Sequence, residues 1–175
     1  MAQQPPARPS INFAAQSTAT KILLVAGFLF FIDTFLPWQH FCIGGGTFGG
    51  VSVPGACASF SAWGGSSGFL GILAGLLALA LVAWEGMQLA NVNLNMNVPS
   101  NRVSAALAGG TVVFGAIKFI IVMTNHPGFG AFVGIILLIA IAYGGYMKWQ
   151  EPVTAGPGMS PGPGPGTAPP GGFTT

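Results

Sequence analysis

The sequence predicts an all-α transmembrane four-helix bundle with disordered cytoplasmic termini, and three observations carry that prediction. Of 175 residues, 51% are hydrophobic and only 5% are charged, against about 25% charged in an ordinary soluble domain. Apolar windows at 19–37, 67–87, 103–124 and 128–147 each approach the ~20 residues that cross roughly 30 Å of hydrocarbon. The flanks, 1–18 and 151–175, have no apolar periodicity, and the second is built of Pro-Gly repeats; such composition cannot bury a core. The lipid bilayer is therefore the expected solvent of a single membrane domain, 19–150. Five basic and three acidic residues are too scattered for nucleic acid, which needs a clustered basic face.

Arg8 and Lys21 lie at the start of the first span, Arg102 between the second and third, and Lys148 at the end of the fourth. The connections 37–66 and 125–127 hold no Lys or Arg. The positive-inside rule then puts both termini and the middle connection in the cytoplasm, as expected of a multi-pass protein of the cell membrane. The first span reads as a retained helix, because Pro37-Trp38-Gln39-His40-Phe41 follows it and not a small-x-small cleavage site. No lipobox precedes Cys42, and Ala2 stands where N-myristoylation needs Gly.

In chain order, the first span is rich in large side chains (Leu23, Leu24, Phe28, Phe30, Phe31, Phe35) and is expected to stop at Pro37. Trp38 and Trp63 bracket an uncharged, Gly-rich outer loop as interfacial aromatics, and Trp84 and Trp149 mark the inner belt. Within the loop, Val51-Ser52-Val53 alternates as a short strand does, although a lone hairpin would be marginal. The later spans carry small residues at fourfold spacing: Gly71/Gly75, Ala106/Gly110 and Gly130/Gly134. Apolar helices in lipid have no hydrophobic drive to associate, so such faces pack helices closely, within the chain or in a dimer. The connection 90–101 alternates Asn with Val, Leu or Met, which argues for an extended segment, with Ser100 or Asn101 as the next N-cap.

Asp33 and Lys118 are the ionisable groups placed well inside spans. At 1.5 Å per residue they stand roughly 18 Å above Lys21 and 22 Å above Val103. Matched depth and opposite sign suggest an intramembrane ion pair, since a lone charge there costs roughly 2.5–3.5 kcal/mol. Snorkelling of Lys118 and an ion or proton path are the alternatives. Cys42 and Cys57 share the exported loop, where a disulfide is the default and would contribute about 3 kcal/mol in the chain-entropy model. A mixed site of His40, Cys42, Cys57 and His126, or free thiols, are the other readings. Glu85 sits at the level of Arg102, Lys21 and Lys148, as in a solvated charge pair.

Four spans, a longest loop after the first, an aromatic opening it and two loop cysteines resemble the claudin layout in topology. The Gly-Leu-Trp-x-x-Cys signature of that family is absent: Trp38-Gln39-His40-Phe41-Cys42 has one residue more between Trp and Cys. In Gly/Ala/Pro usage and in its Pro-Gly tail the chain is more similar to small four-span proteins of high-GC bacteria such as actinobacteria. No cofactor motif or catalytic constellation is present in the sequence. The expectation is a non-enzymatic accessory or scaffolding subunit that meets other membrane proteins or itself, with a small channel or transporter subunit using Asp33 and Lys118 as the alternative.

Overall fold

The computed structural model describes residues 13, 16–90, 92 and 98–152. Most of the expected N-terminal tail, the Pro-Gly tail and most of the Asn-rich connection lie outside them. The described chain contains helices α1 (Thr18–Asp33), α2 (Gly68–Leu89), α3 (Ser100–Met123) and α4 (Phe129–Gln150). Between α1 and α2 run strands β1 (Pro37–Ile43), β2 (Gly46–Phe48), β3 (Val51–Val53) and β4 (Ala56–Ser61).

Helices α2, α3 and α4 are long and apolar enough to cross a membrane, which is compatible with a membrane protein. Helix α1 has 16 residues and spans ~24 Å, shorter than the window 19–37 suggests. Ser17 starts it as an N-cap, with its Oγ accepting from the Thr20 N–H at 3.2 Å. It ends early because the chain supplies donors to its open carbonyls. Thr34 Oγ1 donates to Phe31 O at 2.6 Å, and the Trp38 indole N–H donates to Asp33 O at 3.0 Å. Helix α3 is not capped by Ser100 or Asn101; its N-cap position is Pro99, which offers no side-chain bond.

The helices form a four-cornered bundle in which α1 packs on α2, α2 on α3, α3 on α4 and α4 on α1. Buried positions alternate by three and four residues: Leu23, Ala26, Phe30 and Asp33 on α1, and Gly71, Ala74, Ala78, Leu81 and Glu85 on α2. The same spacing runs along α3 through Ser104, Ala108, Thr111, Gly115, Lys118 and Val122. This is the 3.5-residue repeat that keeps one seam facing inward. What the seam buries is small or polar as often as large. The exterior instead carries Phe28, Leu29, Phe69, Leu76, Val113, Ile120, Phe132, Ile136 and Ile139. Apolar bulk outside and polar groups inside invert the soluble pattern.

The loop between α1 and α2 is more ordered than its glycines suggest. β1 and β4 pair antiparallel with Cys42 opposite Cys57 and Phe41 opposite Ala58. β2 and β3 continue as a smaller hairpin closed by Gly49 and Gly50 at φ 58° and 85°, the double positive-φ turn whose twist suits a two-residue connection. His40 N–H donates to His126 O at 3.0 Å and Gly128 N–H to Trp38 O at 2.7 Å, so the α3–α4 connection is tied to the free edge of β1.

Candidate functional site

The polar side chains gather at the two poles of the bundle. At the hairpin pole the centre is Trp38, which is 1% exposed and so is not the interfacial aromatic its sequence position implies. Its ring lies across α4 over Gly130 and Gly134. A Cβ at Gly130 would come within 2.7 Å of the indole Cδ1, and one at Gly134 would run into the six-membered ring and reach Asp33 Oδ2 at 2.8 Å. The two glycines thus form a slot for an aromatic side chain, with Asp33 of α1 also against Gly134. Phe30 meets the same indole edge-on, with centroids 6.3 Å apart.

Gly71 and Gly75 do the same for the end of the loop. A Cβ on Gly71 would collide with the main-chain carbonyl of Ala62, and one on Gly75 would touch Thr34 and Trp63 at 3.5 Å. Trp63 is half-buried and donates its indole N–H to Thr34 Oγ1 at 2.8 Å, while Phe35 stacks on it. Of the third pair, Gly110 faces Leu77 of α2 at 3.1 Å, whereas Ala106 points outward. The α3–α4 seam instead uses Gly115 against Leu138 and Gly145 against Ala108.

The expected Asp33–Lys118 ion pair is not formed. Lys118 is fully buried and donates to the main-chain oxygens of Gly64, at 3.1 Å, and Ser66. Gln39 Oε1 accepts from Ser66 N–H at 3.0 Å, so ammonium and amide together pin the turn that leads into α2. Both Asp33 carboxylate oxygens are buried and accept no hydrogen bond. The reason is azimuth: Asp33 and Lys118 share a height but belong to α1 and α3, which occupy opposite corners.

Cys42 and Cys57 form a disulfide, with Cα atoms 4.0 Å apart across the β1–β4 ladder. Both thiols are thereby consumed, and the mixed site with His40 and His126 has lost its sulfur ligands. Beyond the disulfide, β1 and β4 turn Phe41, Ile43, Ala56, Ala58 and Phe60 to one face, since opposed residues share a side of the ladder. Phe41, Ile43 and Phe60 are 53%, 63% and 42% exposed.

At the other pole, Glu85 is fully buried, not solvated. Its Oε2 lies 3.8 Å from Lys148 Nζ, which also reaches Glu151 Oε2 at 3.2 Å. Asn101 donates to Glu151 O at 2.9 Å, and Gln88 to Ser104 Oγ at 3.4 Å. Trp84 is half-buried with its N–H towards Ser100 O. Trp149 is exposed and carries the Arg102 guanidinium 3.8 Å above its ring. Sequence reasoning missed Gln39 and Ser104, and read Asn101 only as an N-cap. The last two are legible in the three-four spacing of polar and small residues along α3; Gln39 has no such signal.

No family model, no curated protein and no solved structure matches this chain.

Proposed function

We propose that the protein is a four-span subunit of the cell membrane, with both termini cytoplasmic, and that it serves as a non-enzymatic accessory or scaffolding partner of other membrane proteins. The inverted distribution of apolar side chains supports a lipid surround. The 16 residues of α1, continued by the exposed Phe35 and Leu36, supply the fourth crossing. Lys21, Arg102 and Lys148 collect at the pole away from the hairpin, which places that pole inside. The disulfide suits an oxidising outer compartment.

The observation that carries the partner role is the exposed apolar face of the β1–β4 hairpin. It is held rigid by Cys42–Cys57 below its tip and by the Trp38 slot at its base. Residues 38–66 contain no Lys, Arg, Asp or Glu, so recognition there would rest on apolar shape and aromatic anchors, the groups enriched at interface centres. Filling of the outer half of the bundle by Trp38, Phe30 and Leu138 argues against a wide lumen.

The test is site-specific photocrosslinking in native membranes, with p-benzoylphenylalanine at Phe41 or Phe60 and, as control, at the lipid-facing Ile136. A discrete protein adduct from the hairpin positions alone is the expected result. Adducts with lipid only, from all three positions, would refute it. The buried, unbonded carboxylate of Asp33 favours a second reading, a small transporter subunit, for which uptake or conductance would change with Asp33→Asn.

A further inference from the structure

One edge of the β1–β4 ladder is covered and the other is open. The main chain of His126–Gly128 runs along β1, through His40 N–H to His126 O and Gly128 N–H to Trp38 O. Along β4, residues 56–60 are all exposed, and among the described residues nothing bonds to the edge turned away from β1. The segment Ala56-Cys57-Ala58-Ser59-Phe60-Ser61 carries no charge and no Pro, the devices with which most proteins blunt such an edge.

The ladder fixes which groups that edge offers. His40 N–H points to His126 and away from β4, so His40 and Ser59 face each other without mutual bonds; two residues on, Cys42 and Cys57 do the same. Their Cα separation of 4.0 Å agrees with the closer of the two antiparallel pair types. Cys57 and Ser59 therefore turn N–H and C=O outward, two donors and two acceptors in a row, while Ala56 and Ala58 bond to β1. A strand antiparallel to β4 and centred on Ala58 satisfies all four groups, and β4 itself has the required spacing. Cys57 then exchanges both bonds with Ser59 of a second copy, and Ser59 with Cys57 of that copy. Ala58 meets Ala58 where strands approach to about 4.5 Å, and Phe60 faces Ala56, large against small, on the apolar side. Residues 38–66 hold no Lys, Arg, Asp or Glu, so the two edges meet without charge repulsion.

We propose that the open edge of β4 takes the β4 of a second copy, joining two hairpins into a four-stranded antiparallel sheet with a twofold axis at Ala58. The side of the ladder that holds Gln39 and Phe60 rests at its base on the turn into α2. Gln39 Oε1 accepts from Ser66 N–H at 3.0 Å, and a Cβ at Gly64 would lie 3.6 Å from the Phe60 Cβ. The sheet thus turns one side to the bundle, and an axis perpendicular to it runs along the helices, as twofold-related copies in one membrane require. The edge buries far less than the ~1,200 Å² of a stable soluble complex, so pairing is reversible and needs copies that share a bilayer. It uses the edge of the hairpin and not the apolar face assigned to other proteins, and rests on the proposed function only for its membrane setting.

The experiment reconstitutes the full chain, labelled at its C-terminus with either a donor or an acceptor dye, into liposomes at several lipid-to-protein ratios. Energy transfer that falls on lipid dilution is expected, with association at least tenfold weaker in Ser59→Pro. That variant removes an outward N–H and no ladder bond, the one setting in which a strand tolerates Pro, so the Cys42–Cys57 disulfide should still form. In Ala58→Cys, mild oxidation should trap a covalent dimer joined at position 58 of both copies, with none from Ser52→Cys on β3. Energy transfer no greater than random proximity at every ratio would overturn the proposal, as would pairing that Ser59→Pro leaves intact. If Ser59→Pro does not fold, Ala58→Cys decides, and equal trapping at 52 and 58 refutes the edge. Photoadducts of other proteins at Phe41 should persist in Ser59→Pro, so failure of either reading shows separately.

Discussion

Replacing Gly134 by Ala is the most informative single perturbation, because the same exchange elsewhere on these helices has the opposite sign. The new Cβ would meet the Trp38 six-membered ring and lie 2.8 Å from Asp33 Oδ2. The indole cannot withdraw cheaply. Its N–H is held by Asp33 O, its main-chain oxygen by Gly128 N–H, and its other edge rests on Gly130. Overpacking of this kind costs about 1–3 kcal/mol, and the rigidity of the ring puts Gly134→Ala in the upper half of that range. Gly109, by contrast, has nothing within 4 Å of a built Cβ. There Ala gains about 0.5–1 kcal/mol from lower backbone entropy in the unfolded state. The two variants should therefore differ by about 2.5–4 kcal/mol in reversible unfolding in mixed micelles, followed by circular dichroism. In a Trp38→Phe background, which removes the ring atoms over Gly134, the cost of Gly134→Ala should fall by at least about 1 kcal/mol, the coupling expected of touching residues. Equal stability of Gly134→Ala and Gly109→Ala, or no coupling to position 38, would show that the slot is not what holds the hairpin base.

Other expectations follow from the same contacts. Lys118→Met leaves the Gly64 and Ser66 carbonyls without their donor and should lose about 1–3 kcal/mol for each, while Asp33→Asn should be neutral or stabilising in the same unfolding assay. An Asp33→Lys, Lys118→Asp double variant that regained wild-type stability would restore the ion-pair model. Cys42→Ser opens a cross-link spanning 15 residues of sequence and removes about 3 kcal/mol of constraint. The loss should stay local: amide exchange in 43–56 rises while the helical melt is unchanged, and a shifted melt would contradict this.

The helices and the cysteine pairing were legible because each rests on local composition: apolar length, and two thiols in one Gly-rich loop. Four features were misread or left open, each for a physical reason. Depth along a span fixes the height of Asp33 and Lys118 but not their azimuth, and opposite corners of a bundle cannot pair. Gly130/Gly134 specifies a groove without specifying its occupant, and the occupant proved to be an indole some ninety residues earlier in sequence, supplied by a loop and not by a helix. Trp38 after Pro37 is indistinguishable by sequence from a belt residue; only the slot on α4 decides that it turns inward. Glu85 read as solvated because it lies near the end of a span, yet its place in the 71-74-78-81-85 series points it to the seam.

The Trp38 slot also sets the order in which the molecule can be completed. The hairpin leaves the ribosome right after α1, but the groove its anchor needs, and the Gly128 and His126 groups that tie β1, arrive with the last helix. Until α4 is present, the indole has only its α1 partners, Asp33 O and Phe30, and the edge of β1 lacks the groups that tie it, whatever the state of the disulfide. Docking of β1 therefore reports on the whole chain: a product that stops at the end of α3 can seat the β4 end on α2 but lacks the Gly130/Gly134 groove and the His126 and Gly128 ties that hold β1.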